Sequence, residues 1–205
     1  MSKWRSYVFF RKGGIYMGWH AIFVETGKED IVCTMINSML KHSRYENDYE
    51  LLVPKRKMQE RHQGQFVEVI IKMFPGYVLI RTDNAWEIYN KTRSFERLYR
   101  FLNHNGKIDE ICLDEISNII YMVDKEGVIG ISDLFVENDM VKVIDGPLCN
   151  YTGWIKKVDK HKRRVKVLFK FSGQDHLIDL SVNFIEKYKD IQGRELSFFY
   201  NQYLE

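Results

Sequence analysis

The feature that most constrains this chain is a change of periodicity part-way along it. Up to about residue 125, helical spacing alternates with strand-like runs; from Phe135 onward no helical period appears at all. Trp19 to Glu25 (WHAIFVE) is a short aromatic and β-branched run that predicts a buried strand. Ile31, Val32, Met35, Ile36, Met39 and Leu40 then recur at spacings of three and four, which predicts a helix over about 27–43. Thr26 followed by Glu29 has the form of a capping box for it. Leu51 to Val53 starts a strand that Pro54 ends or places at an edge. Lys55 to His62 is too polar for a core and predicts a protruding hairpin arm turning at Gln63 and Gly64, with Phe66 to Lys72 returning. Tyr77 to Ile80 is apolar throughout and predicts a central strand. Trp86 to Arg93 reads as helix, Leu98 to Leu102 as strand, and Leu113 to Val123 as an amphipathic helix with Asp114 and Glu115 in its favourable first turn.

Strands and helices mixed this way predict an α+β fold: an N-terminal α/β sandwich followed by a small β-barrel. The barrel strands are expected at Met140 to Ile144, Gly153 to Val158, Arg164 to Phe169, His176 to Leu180 and Val182 to Ile185. Turn chemistry separates them, and a barrel would close its own edges. The expected organisation is a basic extension over 1–17, the sandwich over 18–125, a linker over 126–135, the barrel over 136–188 and a tail over 189–205. The extension carries Lys3, Arg5, Arg11 and Lys12 without an acid. No apolar run reaches the length of a secretion signal or a spanning helix, so a cytoplasmic, membrane-free protein is expected. Three cysteines without a C-x-x-C pair argue against a disulfide framework or a zinc ribbon.

Catalytic patterns are missing. The chain has no G-x-S-x-G, phosphate loop, H-E-x-x-H or dinucleotide glycine pattern, and its six histidines are scattered. Cys33 falls on the apolar face of its helix, and Asp114 and Glu115 point to different faces. An enzyme is not expected, and neither a cofactor nor a metal.

Charge is more informative. From Trp154 to Lys170 the cations Lys156, Lys157, Lys160, Lys162, Arg163, Arg164, Lys166 and Lys170 face Asp159 alone, a net +7, whereas the whole chain is only +3. The positive field is therefore local, with His161 at the expected turn, which points to phosphate-backbone binding. A solvated turn that keeps the barrel soluble is the alternative. The basic arm at 55–62 reads either way. The aromatics Phe74 and Tyr77 around Pro75 and Gly76, beside Trp19 and Phe23, would fill the core or receive a partner's helix.

Trp19 to Glu25, Phe74 to Ile80 (FPGYVLI) and above all Val141 to Ile155 (VKVIDGPLCNYTGWI) resemble the NusG family of transcription elongation factors. The last run is similar to that family's KOW motif, with Asp145, Gly146, Pro147 and Gly153 in the expected places. The basic second domain and Glu25 to Lys28 look most like the specialised paralogue LoaP. The resemblance implies an NGN domain that rides on the clamp helices of RNA polymerase and suppresses pausing and termination. It implies Trp19, Phe74, Pro75, Gly76 and Tyr77 as the polymerase-facing pocket, with Thr92, Arg93 and Ser94 (within Asn90 to Ser94) approaching the opposite pincer. In general NusG proteins the barrel's partner is often Rho or a ribosomal protein, and the residue after Gly-Pro is often Phe; here it is Leu148. The expected RNA contacts are Lys156, Lys157, Lys160, His161, Lys162, Arg163, Arg164 and Lys166, on a nascent RNA hairpin, in a monomeric factor. The competing expectations are a general factor joining polymerase to Rho or the ribosome, and a KOW RNA-binding module that never meets polymerase.

Overall fold

The structure is a computed structural model that describes residues 17–137 and 140–185. The proposed extension, apart from Met17, and the proposed tail lie outside these residues.

The first sheet orders its strands β2-β5-β1-β6, all antiparallel: β1 (Trp19–Val24), β2 (Tyr49–Leu52), β5 (Tyr77–Thr82) and β6 (Leu98–Phe101). β1 and β5 are its two inner strands, which is why both read as apolar on successive residues: each of their faces is covered. One face packs on α1 (Glu29–Leu40) and α2 (Ala85–Thr92). Val32, Ile36 and Leu40 form a fully buried stripe at i, i+4 and i+8, and they join Ile22, Val78, Ile80 and Ile88. Each such side chain contributes about 1.5–3 kcal/mol by leaving water.

α1 does not begin with the expected capping box. Its N-cap position is Lys28, no side chain caps it, and Glu29 is turned to a different task described below.

The arm forms as expected from its polarity. β3 (Lys55–His62) and β4 (Gln65–Lys72) pair along their whole length about Gln63 and Gly64, both at positive φ, as a two-residue hairpin with right-handed strand twist requires. After the short β7 (Asn103–His104) and β8 (Lys107–Ile108) comes α3 (Leu113–Met122), whose Ile116, Ile119 and Ile120 pack on the other face of the first sheet with Ala21, Leu79 and Phe74.

The stretch expected to link the domains is itself strand. β9 (Val128–Ile129) runs parallel to Lys55–Arg56 of β3, and β10 (Ser132–Glu137) is a full barrel strand. Between β9 and β10 only Gly130 and Ile131 belong to neither strand. The aliphatic content of this stretch, Val128, Ile129, Ile131 and Leu134, is the physical reason: a solvated linker would expose it.

β11 (Met140–Asp145), β12 (Ile155–Asp159), β13 (Arg164–Phe171) and β14 (Gln174–Ile185) complete a second sheet ordered β11-β10-β14-β13-β12, a curved half-barrel. The two last expected strands are one. The first part of β14 pairs antiparallel with β13 and its final residues pair parallel with β10. Val165, Val167, Phe169 and Phe171 alternate inward along β13 and are all buried. They belong to the same apolar cluster as α3 and the first sheet, so the two domains share a core. No helix among the described residues is long and apolar enough to cross a membrane.

Candidate functional site

The turn between β4 and β5 is held on several sides. Met73 N–H donates to Pro54 O at 2.8 Å, and Val24 N–H donates to Gly76 O at 2.9 Å. Gly76 has φ +86°, which favours glycine, and a Cβ there would sit in tight contact, 3.2 Å from Thr26 Oγ1. From behind, the wholly buried Glu29 accepts Gly76 N–H at 2.7 Å and pairs with Lys72 Nζ at 2.5 Å. Burial alone would push this carboxyl up; the hydrogen bonds from Lys72 and from the Gly76 amide outweigh it and hold it below the ordinary range. Lys72 also reaches Asp30 at 3.1 Å, which Lys55 meets at 2.8 Å, so the base of the arm, α1 and the turn form one charged knot.

The rings carried by this turn are covered by the barrel. Phe74 is 4% exposed and stacks on Phe171 of β13 with centroids 4.4 Å apart and planes at 23°. His176 of β14 meets Phe74 edge-on at 5.5 Å. Tyr77 packs T-shaped on Phe171 at 5.4 Å and against Phe23 at 5.5 Å, and Phe23 continues to the exposed Tyr99 at 5.3 Å. Of the pocket residues implied by the resemblance, Phe74, Gly76 and Tyr77 come together here and Pro75 is exposed beside them. Trp19 is 2% exposed and forms part of the core beneath. Of the helix-end group, Arg93 and Ser94 are on the surface, whereas Thr92 is fully buried and its hydroxyl donates to Ile88 O at 2.9 Å.

Polar clips flank the ring stack. The Glu115 carboxylate accepts the backbone N–H groups of Ser172 and Gly173 at 3.0 and 3.1 Å, fastening the β13–β14 turn to α3. On the other side Gln59 N–H donates to Ser181 Oγ at 2.8 Å, and Gln59 Nε2 to Asn183 Oδ1 at 3.2 Å. Phe171 and His176 were not legible as partners of Phe74, nor Glu115 and Gln59 as clips to the β13–β14 turn and to β14. Phe171 carries the correct inward alternation, but nothing in a strand pattern says whether the inward residue meets its own barrel or a neighbouring domain.

The basic turn projects between β12 and β13. Lys156, Lys157, Lys160, His161, Lys162 and Arg163 are exposed; Arg164 and Lys166 are half-buried and face Glu60 at 3.8 Å and Asp179 at 2.9 Å. Asp159 organises the turn: its Oδ1 accepts Lys162 N–H at 2.9 Å, which holds its carboxyl low. Arg163 sits at φ +51° and lies over the Phe66 ring of the arm, 4.3 Å from the centroid.

The KOW residues are structural. Gly146 has φ +97°, and a Cβ would come within 2.7 Å of Ser132 Cα. Ser132 Oγ accepts the Leu148 N–H at 3.1 Å, drawing Leu148 into the core at 1% exposed. Asp145 and Pro147 flank this turn, and Gly153 lies in the 3-10 turn over Thr152–Trp154. Cys33, Cys112 and Cys149 are free thiols; burial pushes Cys33 up to about 12, where it is unreactive. Among the described residues no group of histidine, cysteine and carboxylate side chains could hold a metal ion.

Residues 17–120 match the family described as transcription termination factor nusG. The transcription termination/antitermination protein NusG of Escherichia coli O6:H1 is 30% identical over 178 residues, covering 82% of this chain and 95% of that one. Its counterpart from Helicobacter pylori J99 is 25% identical over 173 residues, covering 83% and 98%. A solved structure concerned with domain interaction in Thermotoga maritima NusG has the same fold, with a TM-score of 0.53 at 22% identity over 80% of this chain and 93% of that one. On the match over residues 17–120 and the relative 30% identical over 95% of its length, this chain belongs to the NusG family of transcription termination/antitermination factors.

Proposed function

We propose that this protein is a specialised, LoaP-like antitermination factor that grips the clamp helices of RNA polymerase through the 74–77 turn and nascent RNA through the barrel's basic turn, suppressing pausing and termination. Family membership supports the polymerase half. The RNA half is carried by one observation: six exposed cationic or imidazole side chains from Lys156 to Arg163 stand beside a single acid that is itself tied to backbone. A short turn of this kind suits A-form RNA, which is recognised mainly through phosphates, shape and hydroxyls. Leu148, being core, offers a barrel partner no side chain in this arrangement.

Because Phe171 and His176 cover Phe74 and Tyr77, polymerase engagement through those rings requires the barrel to leave them. The test is a pair of captures from native cell extract. Reversing Lys160, Lys162 and Arg163 to Glu should abolish RNA retention without reducing polymerase recovery, and Tyr77→Ala should reduce polymerase recovery without abolishing RNA retention. Unaltered RNA retention by the reversed variant ends the RNA half. A folded Tyr77→Ala protein that recovers polymerase like the wild type ends the other.

A further inference from the structure

The seam between the β3–β4 arm and the barrel holds a set of cations that neither half of the fold accounts for. Phe66, 37% exposed near the arm's tip, has the Arg163 guanidinium 4.3 Å from its centroid. Arg61, its cross-strand partner on the arm, is 6.0 Å from the same centroid. One ring thus brings together two guanidinium groups from different domains. Deeper in, Arg56 of the arm and Arg164 of the barrel each bury an Nε–H that has no acceptor among the described residues. Burial disfavours the charged form of Arg56, and Arg164 adds to that against the pull of Asp179.

The nearby acids are already engaged: Glu60 with Arg164 at 3.8 Å, Glu68 with Lys57 at 3.1 Å, and Asp179 with Lys166 at 2.9 Å. Neither Arg61 nor Arg163 has a carboxylate partner among the described residues, although both are exposed. Four like charges with two buried, unanswered N–H groups are a poor way to fasten one domain to another. Guanidinium groups with donors left over match the oxygens of phosphates, which they can hold in bidentate fashion.

We infer that the arm and the barrel turn form one composite RNA-backbone site, with Arg61, Phe66 and Arg163 at its mouth and the charges of Arg56 and Arg164 behind it. The inference rests on the RNA-binding reading above and enlarges it: the barrel turn is half of the site, and the arm supplies the rest only while the domains are docked.

The test uses the full chain and an RNA hairpin with a stem of about one A-form turn, titrated by fluorescence anisotropy at several salt concentrations. Arg61→Ala should weaken binding about 3–10-fold near 0.1 M salt and reduce the log–log salt slope by about 0.7–0.9. Phe66→Ala, which frees both guanidinium groups, should weaken binding with a smaller change in slope. Lys57→Ala, which removes an arm cation already neutralised by Glu68, should leave both quantities unchanged. All three positions reach solvent, so the substitutions should leave the fold intact. If the wild type binds with a normal salt dependence and Arg61→Ala matches it, the composite site is wrong and the barrel-turn reading survives. If Lys57→Ala weakens binding as much as Arg61→Ala, the effect is general arm charge and the composite site is again wrong. If the wild type itself fails to bind RNA, the RNA reading falls and this inference with it.

Discussion

Glu29 is where the fold reaches forward to position the candidate surface, and replacing it gives a measurable cost. Its side chain is completely buried; one oxygen accepts the Gly76 amide at 2.7 Å and the other meets Lys72 Nζ at 2.5 Å, with the Gly27 and Glu29 backbone also holding the carboxylate. Glu29→Ala strips both and leaves the amide without an acceptor. A hydrogen bond to a charged group contributes about 1.5–3 kcal/mol, and breaking a buried ion pair costs about 3–5 kcal/mol. Lys72 is 21% exposed and keeps Asp30 at 3.1 Å, which puts the expected loss at the low end, about 3 kcal/mol. Glu29→Gln keeps the shape and a neutral acceptor for Gly76, and should cost about half as much, near 1.5 kcal/mol. Urea denaturation followed by tryptophan fluorescence, at unchanged m, reads both. A Gln variant as unstable as the Ala variant, or an Ala variant within about 0.5 kcal/mol of wild type, would refute the reasoning. The same pair predicts a pH dependence. The folded carboxyl lies below its ordinary value of 4.5, so its stabilisation is complete above that value and is lost as pH falls through the folded pKa. Wild type should therefore lose stability on acidification more steeply than Glu29→Gln.

Phe171→Ala should loosen the docked arrangement, since it removes the stack on Phe74 and the edge contact with Tyr77, together about 1–3 kcal/mol beyond ordinary burial. Small-angle scattering should register a larger radius of gyration, and an unchanged radius would show that the polar clips suffice. Glu115→Ala should increase protease cleavage at the β13–β14 turn by uncoupling Ser172 and Gly173 from α3. Gly146→Ala should destabilise the barrel by more than about 2 kcal/mol, because strain at positive φ adds to the 2.7 Å clash with Ser132; calorimetry reads it directly. With its pKa near 12, Cys33 has about one thiolate in ten thousand at pH 8, so mass spectrometry after alkylation should find the exposed Cys112 and Cys149 labelled first.

Much of the fold could be read from local pattern because local pattern reports which faces are covered. The unbroken apolar run Tyr77 to Ile80 marks an inner strand, the Val32–Ile36–Leu40 stripe marks a one-sided helix, and Gln63-Gly64 marks a tight hairpin. What could not be read was assignment of a face to a partner. Thr26 and Glu29 have capping spacing, yet the Glu29 carboxylate finds a better-placed donor 47 residues away at Gly76. The stretch 126–135 resembles a linker by its glycines, but its aliphatics complete a strand on the arm and another in the barrel. The expected strand stopped at Phe169, two residues short of Phe171; that the neighbour of Phe171 is Phe74 depends on how two domains meet, which periodicity does not encode. The basic arm remained ambiguous for the same reason, until the docked barrel put Arg163 over Phe66.

Docking also sets a thermodynamic relation between the two proposed partners. Polymerase, taking Phe74 and Tyr77, favours the parted arrangement, whereas RNA spanning the arm and the barrel favours the docked one. Ligands that prefer opposite states weaken each other's binding by the same factor. That factor is bounded by what the arm adds to RNA affinity, since Lys156, Lys157, Lys160 and Lys162 travel with the barrel. Loss of Arg61 and the seam would cost roughly tenfold, about 1.4 kcal/mol, so RNA would stay attached while its grip loosened. With only Gly130 and Ile131 between β9 and β10, the parting must turn about those residues or unzip Val128–Ile129 from the arm. Either route separates Arg163 from Phe66 at the moment Phe171 leaves Phe74. Titrating polymerase into a preformed protein–RNA complex should therefore raise the RNA dissociation rate for wild type and raise it less for Arg61→Ala. An equal rise in both would place the antagonism elsewhere.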